Sequence, residues 1–202
     1  TLAVSQAKKF ADYFIDDVPI IYQFEYYPLA NRTNHNNNLI HQYIRSLRGH
    51  QSVLDVRRRE AIDAAVDFFS YTMMRIYGRH LDSISNLCLC PVPTQKDEGS
   101  HYAEWCEIAD RIEKRTNAIN CIDAFDYHYK KAEYGTRWSE RDGLPDGSFN
   151  QAWFETAQST TANVILITDQ IYRGTQVRQA IDTLRDMGND VILTLSLTRV
   201  II

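Results

Sequence analysis

Residues 164–197, VILITDQIYRGTQVRQAIDTLRDMGNDVILTLSL, read as strand, short polar loop, helix and second strand. Val164–Ile167 is a brief, wholly apolar, β-rich run, the pattern of a strand buried on both faces of a parallel sheet. One acidic residue, Asp169, stands where that strand is expected to end. Val177, Ala180, Ile181, Leu184 and Met187 then recur at helical spacing, and Gly188 sits where a helix C-cap belongs. Val191–Leu197 supplies the next strand. A crossover this tight predicts a right-handed βαβ unit. The ligand site of such a unit lies at the carboxyl end of the first strand, against the helix N-terminus, where unpaired backbone N–H groups and the helix dipole favour an anion. Asp169, Arg173, Gly174, Thr175 and Gln176 fall there, with Val177 behind them.

The rest of the chain is consistent with one α/β domain. Its 202 residues are the usual length of a single domain with a full core. A net charge of −4 argues against a broad nucleic-acid-binding surface. No apolar run approaches the roughly 18 residues a membrane span needs, and Thr1–Lys9 shows no signal-peptide pattern. Four cysteines, Cys88, Cys90, Cys106 and Cys121, lack zinc-type CxxC spacing; Cys88 and Cys90 fall in an apolar strand and read as reduced core thiols. A cytoplasmic location fits. There is neither a GxGxxG nor a GxxxxGK motif, which removes the dinucleotide and P-loop readings.

Helical spacing predicts an amphipathic helix over 4–17, through Val4, Ala7, Phe10, Ala11 and Phe14, and further helices over 39–48, 56–77 and 101–117. Strands are predicted over 20–27, 84–92 and 118–125. Residues 127–160 are polar and aromatic, with GLPDG at 143–147 as a turn cluster. The basic segment holding His41, Arg45, Arg48, His50 and Arg57–Arg59 reads as a solvated helix face balanced by Asp55, Glu60 and Asp63. Lys130, Lys131 and Arg137 with Tyr129, Tyr134 and Trp138 mix cations and rings. His101, Cys106 and Asp110 lack the second Cys/His cluster a metal site would need.

The stretch around Asp169 resembles the PRPP-binding motif of type I phosphoribosyltransferases: hydrophobics, two acidic residues, a short spacer, then a Thr/Gly-rich loop opening a helix. Val164–Ile167 match the hydrophobics. Thr168 stands at the first acidic position, without charge, and Asp169 at the second. Tyr172, Arg173, Gly174, Thr175 and Gln176 fill the loop, with Tyr172 and Gln176 where threonines are common. Ile20–Leu29 (IIYQFEYYPL), Leu39–Gly49 (LIHQYIRSLRG) and Asn86–Lys96 (NLCLCPVPTQK) are similar to elements of the ComF-type branch. The last of these matches the pyrophosphate loop at Pro93, Thr94, Gln95 and Lys96.

The resemblance implies a phosphoribosyltransferase-like α/β fold, with a mostly parallel central sheet flanked by helices. Residues 1–80 would form a mainly helical N-terminal part and 84–202 the core. It implies transfer of a 5-phosphoribosyl group from PRPP to an acceptor, with Mg²⁺ bridging pyrophosphate and ribose oxygens. Asp169 and Thr168 would be the catalytic pair on the ribose hydroxyls. Residues 173–177 would hold the 5′-phosphate, and the flexible segment near 130–138 would cover the substrate. PRPP or another nucleotide is the expected ligand, and a second copy of the chain, as a homodimer, the candidate protein partner. Two alternatives stand beside this reading. One is a nucleotide sensor on the same fold that binds without turnover. The other is an interaction module that docks a partner through its N-terminal helices.

Overall fold

A computed structural model describes residues 2–11, 13–27, 35–47, 55–92, 102–121 and 161–201. In chain order the elements are α1 (Leu2–Lys8), β1 (Tyr13–Ile15), β2 (Val18–Tyr26), α2 (His35–Leu47) and α3 (Asp55–Tyr77). A 3-10 turn (Gly78–Ser83), β3 (Leu87–Pro91), α4 (Tyr102–Thr116), β4 (Ile119–Asn120) and β5 (Asn163–Ile171) follow. The last two are α5 (Thr175–Asp186) and β6 (Asp190–Val200). The strands form a six-stranded sheet in the order β1-β2-β6-β5-β3-β4. Every neighbouring pair is parallel except the edge hairpin of β1 and β2. An α/β fold with a mostly parallel sheet is therefore what the chain adopts.

Burial explains the arrangement. On one face Leu89, Ile165, Ile167, Leu193, Leu195 and Leu197 join a cluster with Phe69 and Met73 of α3 and with Trp105, Ile108 and Ile112 of α4. On the other, Ile20, Cys88, Cys90, Val164 and Leu166 pack with Val177, Ala180, Ile181 and Leu184 of α5. Alternate residues of β3 and β5 thus serve opposite clusters, as strands buried on both faces must. The register shifts between Val164 and Ile165, which leaves Ile192 as an extra residue in β6.

Two connections define where a ligand can sit. The β5–α5–β6 crossover covers one face, and the β3–α4–β4 crossover covers the other. The winding therefore reverses between the adjacent strands β3 and β5, and open α/β sheets bind ligands outside the carboxyl ends of strands at such a reversal.

Three expectations need correction. The helix expected over 4–17 stops at Lys8, and Tyr13–Ile15 is a strand. Asp16 and Asp17 take φ of 46° and 67°, which a two-residue hairpin turn of the mirror-image type requires. Ile15 and Val18 are buried in the α5-side cluster, so pairing across the hairpin overrides the helical spacing of Phe10, Ala11 and Phe14. Second, the strand expected to end near Ile167 continues to Ile171. Its partner β6 is eleven residues long and pairs with it as far as Arg199. Third, within the strand expected over 118–125, only Ile119–Asn120 are strand among the described residues. The N-terminal part also contributes β1 and β2 to the sheet as well as three helices.

Tyr77, the last residue of α3, is 2 % exposed, and its hydroxyl has no partner among the described residues. Burial pushes its pKa above the ordinary tyrosine value. The folded state thus holds the phenolic proton more tightly than the unfolded chain. That contribution to stability is complete below about pH 10 and is lost as pH rises beyond it. Tyr77→Phe removes an unsatisfied buried hydroxyl and should stabilise the protein by about 1 kcal/mol at neutral pH. It should also flatten the alkaline decline. Urea melts at neutral and alkaline pH check both effects, and a variant less stable than its parent at neutral pH would show that the hydroxyl is satisfied after all.

Candidate functional site

The residues at the carboxyl end of β5 fall into two sets with different surroundings. Thr168 and Asp169 lie inside the strand, 2 % and 1 % exposed. The Thr168 hydroxyl is 3.4 Å from Asp169 Oδ1 and 3.5 Å from the Gln170 carbonyl, and its single proton serves one of them at a time. Asp169 was expected at the open end of the strand and is instead a buried carboxyl group. The extension of β5 by pairing with β6 is the cause.

The loop Tyr172–Gly174 then turns into α5. Tyr172 and Arg173 are exposed, and the Arg173 guanidinium lies 5.4 Å from the Tyr172 ring. The first helical backbone bond runs from Arg178 N–H to the Gly174 carbonyl at 2.8 Å. The N–H groups of Thr175, Gln176 and Val177 therefore lie in the first turn, ahead of any intrahelical acceptor, and no side chain caps the helix. Unpaired N–H groups at the positive end of a helix dipole form an anion-binding geometry.

Gly174 has a φ of 78°, a conformation L side chains rarely adopt. A Cβ there would also come within 2.7 Å of Ile15 Cδ1 and 3.7 Å of the Tyr13 hydroxyl. A glycine at this position also lets a phosphate approach the backbone closely. The structure adds a nearer reason, because the β1 hairpin packs directly against the loop.

That hairpin also rearranges the local charges. Asp16 pairs with Arg178 at 2.7 Å and Asp17 with Arg185 at 2.9 Å, so the hairpin turn holds two cations of α5. Arg199 is placed next to Ile171 by the β5–β6 register. Its guanidinium lies 4.1 Å from the Tyr13 ring and 5.5 Å from the Tyr22 ring. Among the described residues it makes no ion pair, and the β2–β6 register sets Glu25 opposite it.

The candidate pyrophosphate residues Pro93, Thr94, Gln95 and Lys96 lie outside the described residues, as does the 127–160 segment. The residue that leads into them is placed. Val92 N–H donates to the Ile167 carbonyl at 2.7 Å, one residue before Thr168. The structure thus brings the base of that loop next to the Thr168–Asp169 pair.

Sequence reading missed a buried polar row on β6. Thr194, Ser196 and Thr198 are each 0 % exposed. Thr198 donates to the Asp169 carbonyl at 3.0 Å, Ser196 donates to the Thr198 carbonyl at 2.6 Å, and the Thr194 hydroxyl has no partner. The signal was present in the alternation of Leu193, Leu195 and Leu197 with these hydroxyls. Glu104, in the first turn of α4, was missed as well. It is 7 % exposed, with Oε1 3.4 Å from Arg58 Nε and Oε2 unpartnered. Within that basic segment Arg57 meets Glu60 and Arg58 also reaches Asp55, whereas Asp63, expected to balance it, instead pairs with Arg111 of α4 at 2.8 Å. Of His101, Cys106 and Asp110, set aside as a metal site, His101 is outside the described residues, and Asp110 accepts a bond from Asn120 at 2.8 Å.

No protein-family model matches this sequence, and no curated protein matches it.

Gly174→Ala should destabilise the fold by about 1–2 kcal/mol from the left-handed backbone alone, with a further loss from the Ile15 contact. Adding Ile15→Val should recover part of the contact term and none of the backbone term. Chemical denaturation of the two single variants and the double variant checks this. Strict additivity would show that Ile15 moves aside freely.

Proposed function

We propose that the crevice between β3 and β5 binds a phosphorylated ribose, PRPP or a nucleotide, and that the protein transfers a 5-phosphoribosyl group from PRPP to an acceptor. The observation that carries this reading is one of placement. Asp169 and the Tyr172–Val177 turn stand toward the carboxyl end of β5, where the winding reverses, and Val92, the last described residue after β3, is hydrogen-bonded to Ile167 beside Thr168. The free N–H groups of Thr175–Val177, with Arg173, suit a 5′-phosphate. Thr168 and Asp169 would face the ribose hydroxyls, and Pro93–Lys96 the pyrophosphate.

Chemistry of this kind asks little covalent work of the protein. A carboxylate near the ribose stabilises positive charge developing at the anomeric carbon, and fixed donors hold the leaving group. Bound Mg²⁺ would supply charge neutralisation on the pyrophosphate. Among the described residues no group of three or more His, Cys, Asp or Glu is placed to hold a metal ion. One carboxylate with neighbouring hydroxyls suits an Mg²⁺ carried mainly by substrate oxygens, which is how this ion is usually held at phosphate sites.

Binding without turnover is the second reading. It is favoured by the uncharged Thr168 and by an Asp169 that is 1 % exposed.

Thermal-shift measurements with PRPP, nucleoside monophosphates and pyrophosphate, each with Mg²⁺, test the binding claim. A ligand at 100 times its Kd should add about 2.7 kcal/mol, and no response to any of them refutes it. Asp169→Asn should lower PRPP turnover by about 10²–10³, by analogy with a removed transition-state donor. Unchanged turnover would remove Asp169 from the mechanism. Thr168→Asp separates the readings. In a working enzyme a second carboxylate beside Asp169 adds repulsion and no gain, whereas new pyrophosphate release from an inert parent would establish the binding-only reading.

A further inference from the structure

Three thiols meet on one face of the sheet. Cys88 and Cys90 alternate along β3, and both join the cluster that α5 covers. Cys121, just beyond β4, belongs to the same cluster. The register sets Cys88 opposite Ile119 and Leu89 opposite Asn120, so the next pair across these parallel strands is Cys90 and Cys121. Cys121 N–H donates to the Leu89 carbonyl at 3.0 Å, which carries the ladder one residue past β4. All three thiols are unbridged and 0 % exposed. Cys106, on α4, packs against the opposite cluster.

The sulfurs interact with one another. A hydrogen bond with Cys88 favours the Cys121 thiolate, but the contact with Cys90 and burial outweigh it and push the Cys121 pKa far above the ordinary thiol value. These residues do not form a metal-holding group. Neighbouring strands lie about 4.8 Å apart, inside the roughly 4.4–6.8 Å between Cα atoms that a disulfide spans.

We propose that Cys90 and Cys121 form a thiol–disulfide exchange site, which a low-molecular-weight disulfide closes into an intramolecular bond. Among the described residues β4 is a two-residue strand at the sheet edge, held to β3 by two register pairs, and access would come through it. Local opening of so short an edge strand costs far less than global unfolding. In the opened state Cys121 meets water and ionises at an ordinary thiol pKa. Its thiolate attacks one sulfur of R–S–S–R, forming the Cys121–S–S–R mixed disulfide and releasing one R–S⁻. Cys90 then gives its proton to water, and its thiolate attacks the Cys121 sulfur and expels the second R–S⁻. Both leaving groups take up protons. The balance is two protein thiols oxidised to one disulfide, and one R–S–S–R reduced to two R–SH. Cys88 sits two register pairs away, opposite Ile119, and is not the partner. The bond would fix the separation of the β3 and β4 carboxyl ends, whatever ligand the neighbouring crevice takes.

The test uses the full folded chain in oxidised and reduced glutathione at graded ratios. The reaction is quenched by alkylation in denaturant and the peptides are mapped by mass spectrometry. The four free thiols should fall to two, the Cys90 and Cys121 peptides should become linked, and excess reduced glutathione should restore all four. Far-UV circular dichroism should not change. Cys88→Ala should still form the bond, and Cys90→Ala should abolish it. If a variant fails to fold, the map of the parent protein decides alone. Four free thiols at every ratio, a bond formed only in denaturant, a persistent mixed disulfide, or a Cys88–Cys121 link would each overturn the proposal.

Discussion

Strand β5 is buried on both faces and hydrogen-bonded along both edges, and the rest of the molecule is arranged to satisfy that. Val164 and Leu166 need a cover on one side, Ile165 and Ile167 on the other, and each burial of such a side chain is worth about 1.5–3 kcal/mol. Helix α5 supplies one cover, while α3 and α4 supply the other. The parallel neighbours β6 and β3 take up the backbone groups that no water reaches. Two layers of helices on one sheet follow from that requirement, and so does the reversal of winding between β5 and β3.

The reversal sets where a ligand would sit. Open α/β sheets bind ligands outside the carboxyl ends of strands where two crossovers leave to opposite faces, and the first turn of α5 begins at that end. The hairpin of β1 and β2 controls the charge around it. Asp16 and Asp17 hold Arg178 and Arg185, while Arg199 lies over the rings of Tyr13 and Tyr22. Gly174 is held to glycine both by its backbone angle and by the Ile15 side chain pressed against it. The shape of the loop and the packing of a distant hairpin are therefore one constraint.

The polar interior above this core has a cost that an apolar one would not. Thr194, Ser196 and Thr198 are fully buried, and one hydroxyl among them is unpaired. An unsatisfied buried hydroxyl disfavours folding by about 1–3 kcal/mol. That hydroxyl is on Thr194, opposite Leu166 in the middle of the sheet, whereas Thr198, beside Asp169, is hydrogen-bonded to the Asp169 carbonyl.

The local pattern of residues 164–197 determined the βαβ unit, because apolar runs and helical spacing there agree with the burial each residue finds. Gly188 at the end of α5, with a φ of 83°, was legible for the same reason. Asp169 and the loop after it could be named from the chain alone, since strand-then-helix order puts them at one end of the sheet. Their environment could not. Whether Asp169 is open or enclosed depends on how far β5 pairs with β6, and β6 ends some thirty residues later. The β1 hairpin was hidden behind a helical spacing over 4–17 that the structure follows only as far as Lys8. Tyr13, Arg199, and the meeting of Cys90 with Cys121 come from strands far apart in sequence. Such contacts are decided by register and sheet order, which are long-range properties that a local pattern does not carry.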